Sequence, residues 1–126
     1  MTDLFGHELS PAKRTNDRPE AAALLEVLQV LKHHPAVAWV ERQNTGAMQI
    51  GGRFVRFGWR GCSDVIGQLR DGRLLAVEVK SQSGKLRPEQ AAFLDQVRRF
   101  GGVGFMARNC LDVLGELSKS TKDMQT

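Results

Sequence analysis

The stretch GCSDVIGQLRDGRLLAVEVK, residues 61–80, sets an aspartate, a glutamate and a lysine into what otherwise reads as an ordinary β-hairpin. Two registers are open to it. A two-residue turn at Asp71 and Gly72 would place Val65 opposite Glu78 and send Asp64 to the other face of the sheet. A three-residue loop, Arg70 to Gly72, with a type I turn and Gly72 left-handed as a bulge, would place Asp64 opposite Glu78. This second register leaves Val65, Gly67, Leu69, Leu75, Val77 and Val79 on one face. Asp64, Ile66, Gln68, Leu74, Ala76, Glu78 and Lys80 take the other. One face is then wholly apolar, so burial selects this register.

Two carboxylates directly opposed on a sheet repel each other and raise the pKa of at least one of them unless a cation lies between them. A divalent metal resolves the conflict. Oxygen donors from Asp64 and Glu78, with the Val79 backbone carbonyl as a further candidate, suit Mg²⁺ or Mn²⁺ and not a soft-ligand metal. Lys80 lies two residues beyond Glu78 on the same face, placed to hold a water or offset charge as a phosphate turns over. An isolated Glu-x-Lys is more often an ion-pair ladder on a solvated strand. The aspartate in register and the basic flanks tip the reading towards a metal site.

Outward from the hairpin, the sequence divides into regular elements. Residues 1–16 mix Gly, Ser, Pro, Lys, Arg, Thr and Asn without periodicity and read as a mobile arm. A helix is expected from Asp17, with Pro19 and Glu20 in its first turn and Leu24, Val27, Leu28 and Leu31 as its apolar stripe. AVAWVER (36–42) is a strand candidate, QNTGA reads as a turn, and RFVRF (53–57) is a second extended candidate. After the hairpin, RPEQAAFLDQVRRF is a helix, VGFMAR a strand and LDVLGELSK a last short helix after Asn109, leaving 119–126 as a tail. The pattern is α/β, a small central mixed β-sheet flanked by helices, with one domain over 17–118.

Composition narrows the function. A chain of 126 residues with 41% hydrophobic content supports one core. No apolar run exceeds five residues and the N-terminus lacks a signal-like pattern, so an intracellular, cytoplasmic protein is expected, with no membrane span. Cys62 and Cys110 have no ligand spacing with His7, His33 or His34, so neither a zinc site nor a disulfide framework is expected. The net charge of +4 is modest. Its distribution is more telling: Arg53, Arg56 and Arg60 interleave with Phe54, Phe57 and Trp59, a mixture suited to phosphate neutralisation and base contact, though equally to a strand with an exposed basic face.

At GCSDVIG and GRLLAVEVKSQSGKLRPEQ the chain resembles the PD-(D/E)XK nucleases in the form carried by VRR-NUC domains, over about Glu20 to Leu117. The ordered set of an early helical glutamate, RQNTGA, the Asp64 strand, Glu-Val-Lys and a helix carrying Gln90 is more specific than a bare Asp…Glu-x-Lys. The resemblance implies a restriction-endonuclease-like core. It also implies that Asp64 and Glu78 bind metal, that Lys80 orients the attacking water, that Glu20 reaches the site from the first helix and that Gln90 sits at its edge. It suggests substrate contacts by Arg42 and Asn44, DNA as substrate with a preference for branched or four-way forms, homodimerisation, and a phage or bacterial setting. Arg87 stands where a serine cap is common. The residues leave alternatives open. Gln90 also fits a capping box, QNTG is a plain turn sequence, and a helix dipole also favours Glu20 as a simple cap. A non-catalytic nucleic-acid-binding module and an RNA endonuclease remain alternatives to a DNA endonuclease. On a helical wheel Glu20 lies about 40° from Leu24 and Glu26 about 160° from it, so Glu20 is the inward glutamate.

Overall fold

A computed structural model describes residues 11–43 and 46–125, with side chains described over 20–43, 50–53 and 58–122. The elements are α1 (Pro11–His33), β1 (Val37–Arg42), β2 (Gly46–Ile50), β3 (Arg53–Phe57), β4 (Val65–Leu69), β5 (Leu74–Val79), α2 (Pro88–Arg99), β6 (Val103–Ala107) and α3 (Cys110–Gln125).

The hairpin β4–β5 takes the expected register, pairing Val65 with Val77, Ile66 with Ala76, Gly67 with Leu75 and Gln68 with Leu74. The Leu69 N–H donates to the Arg73 carbonyl at 2.9 Å and the Gly72 N–H to the Leu69 carbonyl at 2.9 Å, closing the three-residue loop. Gly72 has φ 99°, the left-handed geometry that glycine supplies without a Cβ clash. Asp71 holds the turn from inside, accepting the Arg73 N–H at 3.0 Å.

Around this hairpin the sheet runs β1-β4-β5-β6. β1 pairs antiparallel with β4, and β5 pairs parallel with β6 through the α2 crossover. Its alternation creates two unlike faces. Val65, Leu69, Leu75, Val77 and Val79 pack with Ala23, Val27 and Leu31 of α1 and Val113 and Leu117 of α3. On the other face Ala76 meets Phe93, Leu94 and Val97 of α2, together with Cys62. The result is an α/β fold, a four-stranded mixed sheet flanked by helices, consistent with a restriction-endonuclease-like core. Among the described residues no helix is long and apolar enough to cross a membrane.

Three boundaries differ from the sequence expectation. The segment read as a turn, QNTGA, gives way to a further strand: β2 begins at Gly46 and pairs antiparallel with β3 as a separate two-stranded sheet. The alternation Ala47, Gln49 against Met48, Ile50 suits that strand, but the Gly and Asn beside it conceal the start. α1 begins at Pro11 and not at Asp17, so residues 11–16 of the expected arm are helical, and residues 1–10 lie outside the described residues. Proline is accommodated in a first helical turn, where its missing N–H has no partner to lose, and Pro11 supplies that start. α3 continues to Gln125 through the expected tail. Ser120 and Thr121 hydroxyls bond back to the Glu116 and Leu117 carbonyls at 3.0 and 2.9 Å, and Arg73 Nη2 donates to the Ser120 carbonyl at 3.1 Å. That last partner is 47 residues away and invisible to local patterning.

Candidate active site

Four side chains meet on the face that α2 covers. Asp64 precedes β4, Glu78 and Lys80 come from the end of β5, and Gln90 comes from the first turn of α2. The Val79 N–H donates to Asp64 Oδ2 at 2.8 Å, which fixes the aspartate against the neighbouring strand. Gln90 Nε2 donates to Glu78 Oε1 at 3.0 Å, and Lys80 Nζ lies 3.8 Å from the same oxygen. Glu78 Oε2 is buried with no hydrogen-bond partner.

The local sequence explains why these groups converge. Gly61, at φ 82°, brings the chain against the first turn of α2 so closely that a Cβ there would lie 3.0 Å from the Glu89 carbonyl oxygen. That contact delivers Cys62, Ser63 and Asp64 to the site. Ser63, fully buried, donates its hydroxyl to the Val65 carbonyl at 2.8 Å. On the other side, Gln90 serves both roles open to it. Its Oε1 accepts the Arg87 N–H at 2.9 Å, the capping half, while its Nε2 grips Glu78. The arginine in the cap position makes no side-chain cap, and Pro88 at the first helical position needs none of its own.

The electrostatics follow from burial. Glu78 is 2% exposed. Desolvation first, then the charge and proximity of the Asp64 carboxyl, push the Glu78 pKa up to about 8, against the pull of the Lys80 ammonium. The same environment pushes the Cys62 thiol up to about 11, mainly through burial, so it is a neutral core thiol beside the acids.

Other expected site residues are placed differently. Arg42 pairs with Val65, so its side chain leaves the sheet on the α1 and α3 face, exposed, and not on the face of Asp64. Its neighbour Gln43 reaches the site by backbone, its N–H donating to the Asp64 carbonyl at 2.7 Å. Glu20 is half-buried on α1, which packs across the sheet from Glu78 and Lys80. Among the described residues no three His, Cys, Asp or Glu side chains gather to hold a metal, so Asp64 and Glu78 stand as a pair. Arg53 and Arg60 are exposed at either end of β3, while Asn44 and the Arg56 side chain lie outside the described residues. Trp59 packs edge-on against Phe93 with ring centroids 5.1 Å apart, linking the segment after β3 to α2.

One residue escaped sequence reasoning altogether. Arg108 Nη1 donates to the carbonyls of Ser81, Gln82 (3.2 Å) and Gly84 (2.7 Å), just beyond Lys80. Those acceptors lie 24 to 27 residues upstream, and nothing in the local run GFMARNC points to them.

The site thus brings together an opposed Asp and Glu at the end of a hairpin, a lysine two residues on and a glutamine from the crossover helix. The family model of the VRR-NUC domain matches residues 19–110, and the chain belongs to that nuclease family. No curated protein and no solved structure matches it.

Proposed function

We propose that this nuclease domain is a divalent-metal-dependent endonuclease of DNA, with Asp64 and Glu78 as its metal-holding acids. The observation that carries the reading is Glu78 Oε2, a buried carboxylate oxygen without a partner beside a second carboxylate. Such a group is costly unless protonated or matched by a cation, and an all-oxygen donor pair suits Mg²⁺ or Mn²⁺. The Val79 carbonyl, next to Glu78 in the chain and on the residue whose N–H binds Asp64, is proposed as a third donor. A bound divalent ion at such a pair lowers the pKa of water and offsets charge on a phosphate.

The protein's own groups divide the remaining work. Hydrolysis adds a water oxygen to phosphorus and expels a sugar oxygen, with one proton leaving the water and one reaching the departing group. Lys80, held with its ammonium beside Glu78, orients that water and faces the negative charge that builds on the phosphate. Gln90 fixes Glu78 Oε1 and so keeps the acid's other oxygen directed away from the helix. Arg53 and Arg60, exposed beside the segment that leads to Asp64, take the flanking phosphates, with Arg56, Arg42 and Asn44 as further candidates. Glu20 enters as a more distant acid through the family resemblance. Selectivity for branched DNA and pairing into homodimers enter the proposal through the same resemblance.

The test is incubation of the protein with duplex, flap, nicked and four-way DNA and with RNA, each with Mg²⁺, Mn²⁺ or EDTA. Cutting of DNA that EDTA abolishes is expected. Tight binding with no cutting under any metal would identify a binding module, and cutting confined to RNA would move the substrate to the other polymer.

A further inference from the structure

Lys80 is tethered from a direction that the acids do not explain. Its backbone N–H donates to the Ala107 carbonyl at 3.1 Å, the last link between β5 and β6. The chain then turns at once: the Gly84 N–H donates to the Ser81 carbonyl at 3.2 Å, folding residues 81–84 back over the lysine. The return is close. A methyl group on Gly84 would lie 3.3 Å from Lys80 Cβ and 3.4 Å from Lys80 Cδ, so the glycine faces the stem of the lysine side chain across a gap that a single methyl would fill. The turn is gripped by Arg108, whose Nη1 shares its two N–H groups among three of its carbonyls, those of Ser81, Gln82 and Gly84. Arg108 is itself fixed, since its N–H donates to Asp112 Oδ2 at 2.9 Å while the Asp112 N–H donates to Asn109 Oδ1 at 3.0 Å at the start of α3.

We infer that Arg108 is a positioning residue for Lys80: by clamping the Ser81–Gly84 turn onto the lysine stem it sets where the ammonium sits relative to Glu78. The chemistry favours the assignment. A four-carbon stem carrying an ammonium samples many rotamers, and ordering such a lysine costs side-chain entropy. A turn that leaves only about a methyl's width beside the stem restricts those rotamers before substrate arrives, and Lys80 is only 9% exposed. A guanidinium spent on three backbone carbonyls of one short turn holds that wall without touching the site. The inference rests on the proposed role of Lys80.

The experiment separates the two. Arg108→Ala, Arg108→Lys, Lys80→Ala and the Arg108→Ala/Lys80→Ala pair are compared for cleavage of whichever DNA the wild type cuts. In parallel, the rate at which an acylating reagent modifies Lys80 in the metal-free protein is followed by mass spectrometry, with exposed Lys119 as the internal control. Arg108→Ala is expected to lower kcat about tenfold or more with KM nearly unchanged, and to have little further effect once Lys80 is alanine. Lys80 should be acylated several-fold faster in Arg108→Ala while Lys119 is unaffected, with Arg108→Lys intermediate in both assays. If Arg108→Ala does not fold, Arg108→Lys carries the comparison. An unchanged Lys80 acylation rate, or an equal loss of kcat with and without Lys80, would overturn the inference. Normal cleavage by Lys80→Ala would instead count against the proposed catalytic role of the lysine and leave the acylation result to decide the positioning.

Discussion

At the scale of single residues, a carboxyl buried beside another carboxyl loses its charge in one of two ways, by taking a proton or by sharing a cation. Glu78 has its pKa raised to about 8 in the folded chain, above its ordinary 4.5. The folded state therefore holds the proton more tightly than the unfolded chain. The resulting stability is fully present below about pH 4.5 and is lost as pH rises through about 8. In EDTA the wild-type Tm should fall across that window, and Glu78→Gln, which carries no charge to bury, should flatten the decline. Mg²⁺ should raise the wild-type Tm more at pH 8.5 than at pH 6, because the ion competes with the proton. Melting curves at the two pH values, with and without Mg²⁺, check both; an Mg²⁺ shift independent of pH would mean that the ion binds elsewhere. The pair itself was legible in the sequence because the hairpin's apolar face admits only one register. The double use of Gln90 was half legible: capping and site contact were read as competitors, whereas one amide has an acceptor for the first and a donor for the second.

At the scale of elements, what local chemistry dictates was readable and what distant contacts dictate was not. Alternation and a Gly-containing loop gave the hairpin and its register, and the period of α1 gave Val27 and Leu31 as fully buried. The extended α3 is met by Arg73 from the hairpin, a contact its own segment does not announce, and the start of β2 is masked by turn-forming residues. Gly61 is the element joint that matters most for the site. Its φ of 82° strains any side chain, and a Cβ there would crowd the Glu89 carbonyl oxygen at 3.0 Å. Gly61→Ala should destabilise the fold by about 1–3 kcal/mol, readable in urea titration, and lower cleavage by displacing Asp64. A fully active, equally stable variant would show that the approach is not needed. α1 supplies a second test. Because it packs on the far face of the sheet, Glu20→Gln should lower cleavage less than Asp64→Asn does. Glu26→Gln, whose carboxylate lies against the Cys110 thiol on α3, should leave cleavage unchanged. Assays of the three variants at one Mg²⁺ concentration give the order; a Glu20→Gln loss as deep as that of Asp64→Asn would make Glu20 a direct participant.

Across the whole molecule, the nuclease family and the three-layer fold agree, and the acids sit where the sheet face is roofed by α2, with Arg60 four residues before Asp64 in the chain. If Arg53 and Arg60 each neutralise a phosphate, replacing both with alanine should lower the slope of log affinity against log salt by about two, measured by fluorescence anisotropy on labelled DNA. An unchanged slope would return these arginines to a purely solvated role. Whether the Asp64–Glu78 pair is a metal-dependent cutting centre is decided by DNA cleavage by wild type and by Glu78→Gln in Mg²⁺, each shown folded by its melting curve. Glu78→Gln should melt at or above the wild-type temperature in EDTA and lose nearly all cutting. Undiminished cutting by the folded variant would contradict that role.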